Sequence, residues 1–135
     1  MRLHHTGYIT GNIDETAKVF EILGYCKLPT FDDTVQKCYI CFLKRKEGES
    51  MVELVQPYED NKTMQKMLIK RGVAPYHLCY EVEDVQATYD RLSETVGWLP
   101  LFAPIEAVAF DNRKITYFMN AEAGFIEFVN EKKQS

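Results

Sequence analysis

The chain carries one pattern twice. A histidine stands in the apolar stretch "LHHTGYIT" and another in "YHLCYEV". Well downstream of each, a glutamate stands in the middle of a further apolar stretch, "MVELVQP" and "GFIEFVNE". His5 to His77 spans 72 positions, Gly24 to Gly97 spans 73 and Glu53 to Glu127 spans 74. Within the halves, His5 to Glu53 spans 48 positions and His77 to Glu127 spans 50. Near-constant offsets over most of a chain mark an internal repeat, and a repeat of this length is one supersecondary unit copied once.

Each copy reads as strand, helix, then three strands. "LHHTGYIT" is a strand, and Asp14 is placed to cap a helix whose stripe is Ile13, Ala17, Phe20 and Leu23, with Gly24 as its stop. A weak strand signal lies in "YCKLPTF", and a clear strand runs from Lys37 to Lys44. "KRKEGES" is a polar hairpin turn leading to "MVELVQP", closed by Pro57. A connector helix follows, with Met64, Met67 and Leu68 on one side and Gly72 at its end. The order then restarts with "YHLCYEV" and a helix capped by Asp84, with Val85, Tyr89, Leu92 and Val96 as its stripe and Gly97 as its stop. "WLPLFAP", "RKITYFMN" and "GFIEFVNE" are the closing strands, and "KKQS" reads as a frayed tail. The expected division is a first βαβββ module over 1–57, a connector over 58–74 and a second module over 75–131, together one compact domain.

Composition narrows the function classes. The 135 residues are 46% hydrophobic and 27% charged, ordinary for a globular domain. A net charge of −4 argues against a nucleic-acid partner, which wants a basic face. No run of eighteen apolar residues predicts a membrane span, and "MRLHHTGYIT" has no signal-peptide pattern, so a cytoplasmic protein is expected. Cys38 and Cys41 form a CxxC, but both fall on one predicted strand, where residues three apart point to opposite faces. All four cysteines are expected reduced and mostly buried.

The glutamates carry the functional signal. Glu53 shares its strand face with Met51 and Val55, and Glu127 shares its face with Phe125 and Val129, while the alternate faces are apolar as well. A carboxylate covered on both sides costs several kcal/mol unless it is neutralised, paired or bound to a cation. Two imidazoles, His5 and His77, and two carboxylates, Glu53 and Glu127, suit one divalent first-row metal ion. His4 competes with His5 but points to the opposite face, and only His5 matches the register of His77 in "HTGY" and "HLCY".

With those residues in place, the chain from Leu3 to about Glu131 resembles the vicinal oxygen chelate superfamily, which includes glyoxalase I and methylmalonyl-CoA epimerase. The resemblance implies an α+β fold in which two tandem βαβββ modules form a curved mixed sheet around a metal-binding cleft. It also implies that His5, Glu53, His77 and Glu127 are the ligands of one divalent metal (cobalt, nickel, zinc, manganese or magnesium) and that the protein is a homodimer. "MRLHHT" is similar to the start of bacterial glyoxalase I enzymes. The middle, "VELVQP", "MLIKRG" and "PYHLCYEVED", is similar to the epimerases. The expected activity is metal-assisted proton transfer α to a carbonyl, with Glu53 and Glu127 as the catalytic carboxylates. Epimerisation of an acyl-CoA thioester is favoured, with isomerisation of a glutathione hemithioacetal, as in lactoylglutathione lyase, as the alternative. A non-catalytic small-molecule binder of the same fold is the third reading. The chain departs from the epimerases at "AFDNRKITYFMNAEAG", where they carry a Gly-rich loop and "HPK", and "KCYICFL" holds no separate acid–base glutamate. Basic clusters at Lys44–Lys46, Lys70–Arg71 and Arg113–Lys114 are candidates for a substrate phosphate or carboxylate. Arg113 is the strongest of them, because it precedes a strand leading toward the expected pocket.

Overall fold

The apolar stretches alternating at period two form strands, and those with helical spacing form helices. The fold is given by a computed structural model that describes residues 1–132; the rest of the expected frayed tail lies outside the described residues. In chain order the elements are β1 (Arg2–Ile9), α1 (Ile13–Ile22), β2 (Cys26–Asp33), β3 (Cys38–Lys44), β4 (Met51–Pro57), α2 (Lys62–Arg71), β5 (Ala74–Val82), α3 (Val85–Ser93), β6 (Trp98–Ala107), β7 (Arg113–Asn120) and β8 (Gly124–Asn130). A 3-10 turn, Val108–Phe110, joins β6 to β7. The architecture is α+β, two βαβββ modules with α2 between them, as the repeat predicts. Contacts divide the chain into two units: His5–Tyr76, and Met1–His4 together with the residues from His77 onward.

In the first unit the strands lie in the order β2-β3-β4-β1, with β1 parallel to β4 and the other neighbours antiparallel. Helix α1 buries Ile13 and Ala17 against Cys41, Leu43, Val52 and Leu54. Leu54 is fully buried, and a side chain of that kind contributes roughly 1.5–3 kcal/mol. The other sheet face points away from α1. On it, Glu53 of β4 has Phe42 of β3 on one side and Gly7 of β1 on the other, with His5 opposite Met51.

The second unit repeats this register. Its order is β5-β8-β7-β6, with β5 parallel to β8. Helix α3 buries Val85 and Leu92 against Phe118, Ile126 and Phe128. On the opposite face Glu127 of β8 has Tyr117 of β7 on one side and Cys79 of β5 on the other, and His77 lies opposite Phe125.

The helix starts are held identically. Asn12 accepts a hydrogen bond from the Glu15 backbone N–H (3.1 Å), and Asp84 accepts one from Ala87 (3.1 Å). The amides that end the two glutamate strands complete these caps: Gln56 Oε1 accepts from the Ile13 N–H (3.0 Å) and Asn130 Oδ1 from the Val85 N–H (2.7 Å). Thus the shared "ELVQ" and "EFVN" patterns tie each buried glutamate strand to the helix behind it. The cap of α1 is Asn12 rather than the expected Asp14, because Asn12 is the extended residue (φ −156°) whose side chain reaches the open N–H groups. Asp14 instead sits in the first turn, favourable to the helix dipole.

Two other expectations shift. Helix α3 ends at Ser93, so Val96 leaves the stripe and is 98% exposed. Gly24 and Gly97 do close the helical turns, both at positive φ (94° and 92°). Strands β2 and β6 are longer than their sequence signal, and both stand at the end of their unit's strand order with irregular register. Pro29, Pro100 and Pro104 lie within them, and an edge strand with bulges tolerates proline as a central one does not. The four cysteines form no disulfide, Cys26 is exposed and the rest are buried. Burial pushes the Cys41 thiol up, away from redox reactivity.

Candidate metal centre

The alternation of β1 and β4 puts His5 and Glu53 on the same face, opposite the one that packs α1. Both are buried, at 0% and 2% exposure, and His5 Nε2 lies 3.4 Å from Glu53 Oε1. Phe42 packs its ring edge-on against His5, centroids 5.4 Å apart. In the second unit, His77 and Glu127 are 4% and 2% exposed, with His77 Nε2 3.3 Å from Glu127 Oε1. Tyr117 takes the place of Phe42, edge-on to His77 with centroids 5.2 Å apart. Its hydroxyl lies 3.2 Å from the same His77 Nε2.

These pairs fit a cation better than a plain hydrogen bond. Separations of 3.3–3.4 Å exceed the usual 2.7–3.2 Å of N–H···O bonds. Two donors each about 2.0–2.2 Å from one shared ion would stand roughly 3.0–3.4 Å apart. Imidazole nitrogen plus carboxylate oxygen is a donor set suited to zinc, nickel, cobalt or manganese rather than to a thiophilic ion.

The remaining candidates lie elsewhere. His4 points away from His5 along β1 and packs on Phe110, centroids 5.3 Å apart. Arg113, expected to meet substrate, is half-buried. Its guanidinium donates to the Asn130 carbonyl (2.7 Å) and the Phe110 carbonyl (3.2 Å), and lies 3.6 Å from Glu81. Lys44 pairs with Glu47 and Arg45 with Glu49 inside the hairpin. Lys70 and Arg71 end α2 in solvent.

Two further residues were not singled out from sequence. Glu81 is 7% exposed and bonded to Arg2 at 2.5 Å. Burial pushes its carboxyl up, but the Arg2 hydrogen bond and charge outweigh this and hold it below the usual range. Nothing short of the register pairs it with Arg2, 79 positions away. Tyr117 stands out only once the strands are in register: it lies opposite Glu127 as Phe42 lies opposite Glu53.

The profile of the glyoxalase/bleomycin resistance protein/dioxygenase superfamily matches residues 4–117. The chain belongs to that superfamily. The sequence has no significant match among curated proteins. Among solved structures, a hypothetical protein, BH1468, from Bacillus halodurans C-125 is 22% identical with a TM-score of 0.83, covering 99% of this chain and 96% of that one. A methylmalonyl-CoA epimerase from Mycobacterium tuberculosis is 21% identical with a TM-score of 0.85, covering 98% and 89%. The Streptomyces coelicolor methylmalonyl-CoA epimerase, solved with 2-nitronate-propionyl-CoA, is 19% identical with a TM-score of 0.86, covering 98% and 99%. At these identities the likenesses establish the fold. Among the described residues no helix is long and apolar enough to cross a membrane.

Proposed function

We propose that His5, Glu53, His77 and Glu127 together hold one divalent metal ion, and that the protein is a metal-dependent enzyme moving a proton α to a carbonyl. The duplicated, buried His–Glu pair carries this reading. When bound, the metal supplies Lewis-acid polarisation of a substrate oxygen. His5 and His77 are fixed by strand register and by the aromatic ring against each, so they serve as anchors for the ion. Glu53 and Glu127 serve as the carboxylates that take and return the substrate proton, one from each half of the repeat. Met51 beside His5, Phe42 beside Glu53 and Phe125 beside His77 give the pairs apolar neighbours.

Epimerisation of an acyl-CoA thioester is the favoured reaction. The similarity of "VELVQP", "MLIKRG" and "PYHLCYEVED" to the epimerases supports it, as does the fold shared with the epimerase structures. One observation favours the alternative, isomerisation of a glutathione hemithioacetal. On β3 the positions facing Glu53 and Val55 are Phe42 and Ile40, so the strand offers no separate carboxylate there. The carboxylates that bind metal must then do the proton transfer themselves. In this reading the protein is a homodimer in the cytoplasm, and Arg113 is a residue to test against the substrate's phosphate or carboxylate.

The deciding experiment follows the α-proton of methylmalonyl-CoA in deuterated water by mass spectrometry, using protein dialysed against Co2+. Incorporation of one deuteron, lost after chelation, supports the epimerase. No incorporation, with turnover of the methylglyoxal–glutathione hemithioacetal instead, moves the assignment to the lyase. Inactivity on both with tight ligand binding supports the non-catalytic binder.

A further inference from the structure

Helix α2 buries none of its residues, unlike α1 and α3. It carries Lys62, Lys66, Lys70 and Arg71 and no acidic residue, in a chain of net charge −4. Lys62, Lys66 and Lys70 recur at four-residue spacing, so they form one stripe, and all three are exposed. Ile69, 83% exposed, falls on the same face, three positions after Lys66. In unit His5–Tyr76, five of the six cations outside α2 pair with a carboxylate: Lys18, Lys27, Lys37, Lys44 and Arg45. Among the described residues, none of the four on α2 does. The stripe does not serve the helix itself. Like charges four positions apart repel, and Lys62, in the first turn, opposes the helix dipole.

The helix is tied to the end of the strand that bears Glu53. Gln65 Nε2 donates to the Pro57 and Tyr58 carbonyls (3.2 Å and 3.1 Å), and Asn61 Nδ2 donates to the Gln36 and Lys37 carbonyls (3.2 Å and 3.1 Å). Leu68 passes close to Gly11, just beyond β1, where an added Cβ would meet its side chain at 3.5 Å. Thus α2 lies at the ends of β4 and β1. Glu53 stands four positions before Pro57, about 13 Å along the strand.

We propose that the exposed face of α2 binds the nucleotide end of an acyl-CoA. Lys62, Lys66 and Lys70 hold its phosphates as point charges, and Ile69 lies against its adenine ring. This rests on the acyl-CoA reading above. The pantetheine arm, extended, covers the separation between a thioester at Glu53 and a cationic stripe at the end of that strand. A glutathione hemithioacetal carries no phosphate to meet the stripe, so α2 favours the CoA thioester over it.

The test uses Lys62→Gln/Lys66→Gln, which relieves a like-charge pair and so leaves α2 no less stable. The probe is 3′-phosphoadenosine 5′-diphosphate, the nucleotide end of CoA without the thioester, followed by calorimetry at low salt. Lys18→Gln/Lys27→Gln, which removes the same charge from the same unit, is the control. The expected result is nucleotide binding by the parent, weakened about tenfold in the α2 variant and within about twofold in the control, with the difference shrinking as salt is raised. Equal affinity in parent and α2 variant, equal weakening in both variants, or no binding by the parent overturns the assignment. Binding that follows the α2 lysines only on vesicles containing phosphatidylserine makes this face a membrane contact and also overturns it. The reaction is judged separately, by deuterium exchange into methylmalonyl-CoA. Exchange with the same KM in parent and α2 variant keeps the epimerase and overturns the α2 site. No exchange, with nucleotide binding that follows α2, overturns the epimerase and supports the nucleotide site.

Discussion

At Glu53 and Glu127 a carboxylate sits almost out of water within 3.4 Å and 3.3 Å of an imidazole nitrogen. Burial of that kind is costly for a carboxylate kept only for structure. Glu127→Gln keeps the shape and an oxygen donor but removes the base. It is expected to slow α-proton exchange by about 10²–10⁴ while Co2+ is still bound, checked by the deuterium assay beside a metal titration. Arg113 stands differently. Its guanidinium satisfies two backbone carbonyls and lies beside buried Glu81, so Arg113→Ala is expected to cost about 2–3 kcal/mol of stability in denaturant unfolding. If the variant unfolds like the parent but its KM for the acyl substrate rises tenfold, the substrate contact expected from sequence is the better account. The four metal-ligand candidates were legible because each breaks an apolar strand at a matched offset. Tyr117 and Glu81 were not, because a tyrosine or a glutamate in an alternating strand looks ordinary until the neighbouring strands are in register.

The elements show why the repeat is more than a sequence likeness. Gln56 and Asn130 reach from the end of a glutamate strand to the first N–H of a helix, coupling the face that bears the glutamate to the face that packs the helix. Asn130→Leu leaves the Val85 N–H without its acceptor and is expected to destabilise by about 1 kcal/mol. Gly97→Ala forces a Cβ onto φ 92°, with an expected cost of about 1 kcal/mol or more. Both are read from thermal or urea midpoints. The central strands were easy to place because their apolar runs are unbroken. The edge strands β2 and β6 were underestimated because prolines interrupt their signal and bulges absorb the interruption. The shift of the α1 cap from Asp14 to Asn12 has a similar origin: both residue types cap well, and only the extended backbone at Asn12 decides between them.

On the scale of the molecule, charge and metal linkage set how stability responds to conditions. The folded Glu81 carboxyl lies below its unfolded value, so its pairing contributes stability above the unfolded pKa. That contribution is lost as pH falls through the folded one. Stability is therefore expected to decline below about pH 4.5, less steeply in Glu81→Gln, by urea midpoints across pH 3–6. In unit His5–Tyr76, Tyr58 donates to Asp32, which pushes the phenol up to about 12. The matching loss of stability comes as pH rises from about 10 to 12. The most direct test of the central claim is a Co2+ titration of the parent, His5→Ala and His77→Ala proteins, read by metal analysis after gel filtration. One ion per chain in the parent, lost in either variant, is the result that the proposed four-ligand centre predicts. Two independent ions per chain, each lost in only one variant, or no bound metal in the parent, would contradict it.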